Sequence, residues 1–87
     1  MSVYIGEVAT FADVADMKEQ ALKVLEEAAE VLGAVQHQEG VDVLSECADV
    51  VQAVCNLVSA YGIHHFNDCM DECRARNEER GRVYAQA

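Results

Sequence analysis

The sequence contains no proline and no tryptophan, and only two phenylalanines and three tyrosines among 87 residues. Ala, Val and Leu carry the apolar load, a composition suited to helices packing on helices. Basic residues are scarce too. Six Lys and Arg stand against 16 Asp and Glu, for a formal net charge of -10. A nucleic-acid backbone needs a basic face, so a nucleic-acid polymer is not an expected partner, although bridging metal ions still allow an acidic protein to hold a smaller polyanion. No apolar run reads as long enough to span a bilayer. Residues 1–7 lack the basic region and long apolar stretch of a signal peptide, so a cytoplasmic location without membrane contact is expected. No internal repeat, linker or low-complexity segment is present, and residues 1–87 read as a single domain.

Four cysteines, Cys47, Cys55, Cys69 and Cys73, fit that compartment. Cys69 and Cys73 lie four apart with His64 and His65 nearby, which raises the question of zinc. The spacing fits no common Cys/His zinc motif, and buried free thiols are the expected state.

Hydrophobic periodicity places three helices. The first spans about residue 11 to about 36, with Thr10 as N-cap, Asp13 in its first turn, and Phe11, Val14, Ala21, Leu22, Leu25, Ala28, Ala29 and Leu32 at helical spacing. Residues 37–40 read as a short connection, which makes the second helix an antiparallel neighbour. That helix runs from about Val41 to Tyr61, and Gly62 stops it. Apolar residues occupy most of its circumference, so it is expected to be largely enclosed. Asp42, Glu46, Asp49, Ala53 and Asn56 fall on the one remaining strip. The third helix runs from about His64 to the low eighties, with a stripe of Phe66, Cys69, Met70, Cys73, Asn77 and Tyr84 and a basic end. The histidines at helix ends and loops are expected to face solvent. The expected fold is all-α, three helices per chain completed by oligomerisation into a four-helix-type bundle, because three helices with one nearly all-apolar member leave too much surface uncovered.

The acids are patterned. Glu27 and Glu30, then Glu46 and Asp49, are two i, i+3 pairs, each on one helix face. Between Lys23 and Arg74 the chain has ten acids and no Lys or Arg. If the two helices pack side by side, four carboxylates converge and raise one another's pKa. Unpaired carboxylates on an apolar helix are costly, and a divalent cation relieves that cost. Mg²⁺, held by carboxylates, is also a device for handling phosphates.

Glu26-Glu27-Ala28-Ala29-Glu30 followed by Glu46-Cys47-Ala48-Asp49 reads as E-E-x-x-E and E-x-x-D. This resembles the MazG-like nucleoside triphosphate pyrophosphohydrolases of the all-α NTP pyrophosphatase superfamily. Lys23, a turn before the paired glutamates, agrees, as do the apolar helix after Asp49 and Asn77 with Arg80 three positions on. The family's lysine four residues before that Asn is Cys73 here. The resemblance implies an all-α, oligomeric, Mg²⁺-dependent enzyme, with Mn²⁺ as a substitute ion, that converts a nucleoside triphosphate to the monophosphate and pyrophosphate. It implies that Glu27, Glu30, Glu46 and Asp49 hold the metal and that Glu27 is the catalytic base. Lys23, Glu26, Asn77 and Arg80 are then expected at the substrate, and Asn56, from its place on the Asp49 face, is expected to meet substrate or to brace a metal ligand. A homodimer or homotetramer is expected. The related phosphoribosyl-ATP pyrophosphohydrolases share the fold and chemistry. The rival reading is a non-catalytic acidic helical assembly protein that binds divalent ions or a basic partner. A di-iron carboxylate bundle ranks below both, because such sites use Glu-x-x-His.

Overall fold

A computed structural model describes residues 1–11, 16–37 and 40–82. Within them lie three helices and no strand: α1 (Met17–Gln36), α2 (Gly40–Tyr61) and α3 (Ile63–Glu79). The all-α expectation is met. Asp13, Val14, Gln38, Glu39 and Tyr84, which entered the helix assignments, lie outside the described residues.

The first helix begins later than its periodicity suggests. Asp16, not Thr10, is the N-cap, and its carboxylate accepts from the Glu19 N–H at 2.9 Å. Both residues are competent caps. The structure uses Asp16, and the Phe11 N–H bonds to Asn56 on α2. Gly62 separates α2 from α3 with φ 140, a backbone that side-chain-bearing residues rarely adopt. Its N–H donates to the Val58 carbonyl at 2.9 Å, and its own carbonyl accepts from Phe66 at 3.1 Å, so α2 closes and α3 opens on one residue. At the far end of α3, Gly81 takes φ 72. The Arg82 N–H reaches the Asn77 carbonyl and the Gly81 N–H reaches Glu78, the paired bonds of a Schellman stop.

The short connection makes α1 and α2 an antiparallel hairpin, which is the main packing unit. The third helix touches α2 lightly and, among the described residues, does not pack on α1. Coverage is therefore one-sided. Ala53 is the one buried hydrophobic residue among those described, and the other buried residues, Gln20, Glu27 and Asn56, are polar. The expected enclosure of α2 is not met within one chain. Leu44 is 73 % exposed, Cys47 and Ala48 are exposed, and Val51, Val54, Leu57 and Val58 are half-buried. The thiols are not buried either: Cys47 and Cys69 are exposed, Cys55 and Cys73 are half-buried, and all four are free. The histidines at positions 37, 64 and 65 are exposed as expected.

Two global measures describe the same openness. The radius of gyration is 14.8 Å, against about 12 Å for a compact chain of this length. The accessible surface is 7236 Å², against roughly 5,000 Å² for a compact monomer of this mass. One further expectation needs correction. Over its 22 residues α2 is long and apolar enough to cross a membrane by length and composition. Its Glu46 and Asp49 set it apart from an ordinary span, since a carboxylate in hydrocarbon is expensive.

Candidate metal centre

The seam between α1 and α2 carries the acids. The i, i+3 spacing brings Glu27 and Glu30 onto the α2-facing side of α1, and Glu46 and Asp49 onto the matching side of α2. Carboxylate oxygens of Glu27, Glu46 and Asp49 lie within 4.8 Å of one another. Glu30 joins them: its carboxyl is held above the usual carboxylate range, first by hydrogen bonding with Glu46 and then by hydrogen bonding with, and the charge of, Glu27. The convergence inferred from spacing is thus present in three dimensions.

The burial is graded. Glu27 is buried, Glu46 half-buried, and Glu30 and Asp49 exposed at the mouth. One oxygen of Glu27, Oε1, accepts from Lys23 Nζ at 2.9 Å. This hydrogen bond holds the Glu27 carboxyl below its ordinary range, against the opposing effect of burial, and it raises the lysine correspondingly. The other oxygen, Glu27 Oε2, is buried with no hydrogen-bond donor, and so is Glu46 Oε2. Buried carboxylate oxygens left unpaired are costly. Two such atoms inside a three-carboxylate cluster match the hard-oxygen donor set that Mg²⁺ or Mn²⁺ takes. The residues therefore fit a divalent ion.

Other expected site residues fall in different places. Lys23 belongs to the cluster through Glu27. Glu26 is exposed, turned about 100° from Glu27 around the helix. Asn56 is buried, and its Oδ1 is already engaged by the Phe11 N–H and by Gln52. Asn77 is half-buried and its amide points to Cys73 Sγ at 3.7 Å. Arg80 is exposed as the C-cap of α3. Because α3 does not pack on α1, this chain alone does not bring Asn77 and Arg80 to Glu27 and Glu30. Among the described residues no Cys/His group forms a metal cluster, and His65 stands 4.0 Å from Cys69 as an isolated pair. Gln20 and Gln52 were not anticipated. Gln20 sits two turns before Glu27 and Gln52 one turn after Asp49, so the spacing rule that found the acids reaches them as well.

Carboxylates of Glu27, Glu30, Glu46 and Asp49 converge across an antiparallel helix pair in an all-α fold. Residues 8–77 match the model of the phosphoribosyl-ATP pyrophosphohydrolase family, and the chain belongs to that family. Its class is accordingly a pyrophosphohydrolase acting on nucleotide derivatives. The MazG-like resemblance holds at the superfamily level, while the matching family is the phosphoribosyl-ATP branch. No curated protein matches the chain, and no solved structure matches it.

The raised Glu30 pKa gives a sign to test. A carboxyl raised on folding contributes stability that is fully present below its unfolded pKa and is lost as pH rises through the folded value. Glu27, lowered on folding, contributes stability that is present above its unfolded pKa and is lost as pH falls through its folded value. Metal-free protein is therefore expected to lose stability as pH climbs past the Glu30 transition, and added Mg²⁺ to restore it above that pH and not below. Thermal melts across pH with and without Mg²⁺ read this directly. An equal Mg²⁺ effect at every pH contradicts it.

Proposed function

We propose that this chain is a Mg²⁺-dependent nucleotide pyrophosphohydrolase that converts a nucleoside triphosphate to the monophosphate and pyrophosphate. The observation that carries the reading is the pair of buried, donorless oxygens on Glu27 and Glu46 within a converging carboxylate set. Glu27, Glu30, Glu46 and Asp49 would hold the ion. A divalent ion held there would neutralise triphosphate charge and make an attacking water more acidic.

The chain's own residues supply the rest. Glu27 is kept ionised by Lys23, so it is available to take the proton of an attacking water. The water oxygen forms a bond to the α-phosphorus, and the bond from that phosphorus to the oxygen bridging the β-phosphate breaks. Pyrophosphate leaves, and the proton resides first on Glu27. Lys23 stays next to the seam as a point charge for a phosphate oxygen. Asn77 and Arg80 are proposed to meet substrate from the α3 of a neighbouring copy. The surface in excess of a compact monomer exceeds the roughly 800 Å² per partner of a standard interface, which supports a homodimer or homotetramer.

A second substrate, phosphoribosyl-ATP, is favoured by the family match and undergoes the same bond cleavage. Hydrolysis in ¹⁸O-labelled water, with each nucleoside triphosphate and with phosphoribosyl-ATP, tests both. Label in the monophosphate product with unlabelled pyrophosphate is expected. Release of a diphosphate and inorganic phosphate, or of nothing from any of these, overturns the proposal.

A further inference from the structure

The third helix carries donors of a different character from the acid seam. His65 and Cys69 are four residues apart on α3, so they stand one above the other on one face. Cys69 Sγ lies 4.0 Å from His65 Nε2. In a tetrahedral zinc site, Zn–S of about 2.3 Å and Zn–N of about 2.0 Å place two such ligand atoms about 3.5 Å apart. The pair therefore needs only a small side-chain rotation to become a bidentate chelate. Both side chains are exposed and the thiol is free, so an ion reaches them without opening the fold.

A third donor lies on the same strip. Glu72 is three residues beyond Cys69 and seven beyond His65, and at 100° per residue the three fall within an arc of about 60°. Helical side chains lean toward the N-terminus, so an extended Glu72 covers the turn that carries Cys69. The three do not form a converged group as they stand, but Glu72 is exposed and turns about its own single bonds. Cys73 continues the row differently: it is half-buried, and its sulfur faces the Asn77 amide at 3.7 Å. Most helical stability comes from packing one face against other elements. The third helix has no buried residue and touches α2 lightly. An ion held by successive turns ties those turns together only while they are helical, so it stabilises the element with the least tertiary support.

We infer that His65, Cys69 and Glu72 form a site for a divalent ion of the Zn²⁺ class, separate from the carboxylate seam, and that this ion staples α3. Thiolate and imidazole select such ions over Mg²⁺, whereas an all-oxygen seam suits Mg²⁺ or Mn²⁺. On binding, Cys69 gives up its thiol proton to solvent, and a water completes the tetrahedron. The inference does not rest on the pyrophosphohydrolase reading.

The test titrates Cd²⁺ into the full chain. Its ultraviolet thiolate-to-metal band reports sulfur-bound ion and is blind to the carboxylate seam. The band is expected to saturate in the parent, to be reversed by Zn²⁺ and to persist in excess Mg²⁺. Cys69→Ser should abolish the saturable component, and His65→Ala and Glu72→Gln should each weaken it about tenfold or more. Cys73→Ser should retain it. Without metal, circular dichroism of the variants should match the parent. Amide exchange at Cys69, whose N–H closes the helical turn back to His65, should slow about 100-fold with Zn²⁺ a hundredfold above its Kd, and should not respond in Cys69→Ser. Absence of a saturable band, its survival in Cys69→Ser, its loss in Cys73→Ser, or binding by His65→Ala or Glu72→Gln equal to the parent overturns the site. Exchange at Cys69 indifferent to Zn²⁺ in the parent overturns the staple.

Discussion

Glu46→Gln is expected to lower pyrophosphate release about 10³-fold, the scale seen when one preorganised electrostatic group is removed from a reacting centre, and to leave the metal-free protein at least as stable as the parent. The two halves come from the same atom. Glu46 Oε2 is buried without a donor, and the Glu46 carboxylate raises the pKa of Glu30 across the seam. Replacing it with an amide removes a negative charge from the cluster and supplies N–H donors to neighbouring carboxylates. The metal-free fold gains from both changes, and the ion loses a ligand. An ordinary destabilising core variant moves the melt and the activity together. Here the melt without Mg²⁺ should rise or hold, the stabilisation by Mg²⁺ should shrink, and the turnover number should fall. A lower melting temperature with preserved turnover contradicts the account.

The second large effect concerns assembly. Leu25→Asp is expected to prevent the proposed self-association and to unfold most of the chain at micromolar concentration. Leu22, Leu25, Ala29 and Leu32 form a stripe on α1 with 3-4-3 spacing, the seam pattern of helices that pack on helices. It is rotated away from the face that carries Gln20 and Glu27, and Leu25 is 66 % exposed in the single chain. Burying one leucine stabilises by roughly 1.5–3 kcal/mol. A twofold interface contains the residue twice, so its loss alone weakens association by roughly 10²–10⁴-fold, and a buried aspartate adds to that. Sedimentation and far-UV circular dichroism on a dilution series check it. A folded monomer of the parent protein, or a variant that assembles as the parent does, contradicts it.

Much of the centre was legible in the sequence because it depends on local geometry. Spacing of three along a helix puts Glu27 with Glu30 and Glu46 with Asp49 on single faces, and a connection of a few residues forces those faces together. The gap in Lys and Arg between Lys23 and Arg74 leaves the acids in that stretch without a Lys or Arg partner from it, and Lys23 at its edge pairs with Glu27. What remained hidden depends on long-range pairing through the backbone. The contacts of Phe11 and Ala9 with Asn56 and Gln52 span 45 and 43 residues and use a main-chain N–H and a main-chain carbonyl, groups every residue has. The start of α1 differs from the periodic pattern because Thr10 and Asp16 are both competent caps and local sequence does not rank them. Enclosure of α2 was over-read, because an apolar circumference states what a helix needs to cover and not whether its own chain covers it.

Binding of Mn²⁺ to the parent protein and to Glu46→Gln, followed by electron paramagnetic resonance at neutral pH, tests the central claim most directly. The carboxylate seam as a divalent-metal centre requires saturable Mn²⁺ binding by the parent, competition by Mg²⁺, and an affinity about 10- to 100-fold weaker in the variant, comparable to the loss when a supporting group of a metal site is removed. Absence of saturable binding by the folded parent, or equal binding by the two proteins, contradicts it.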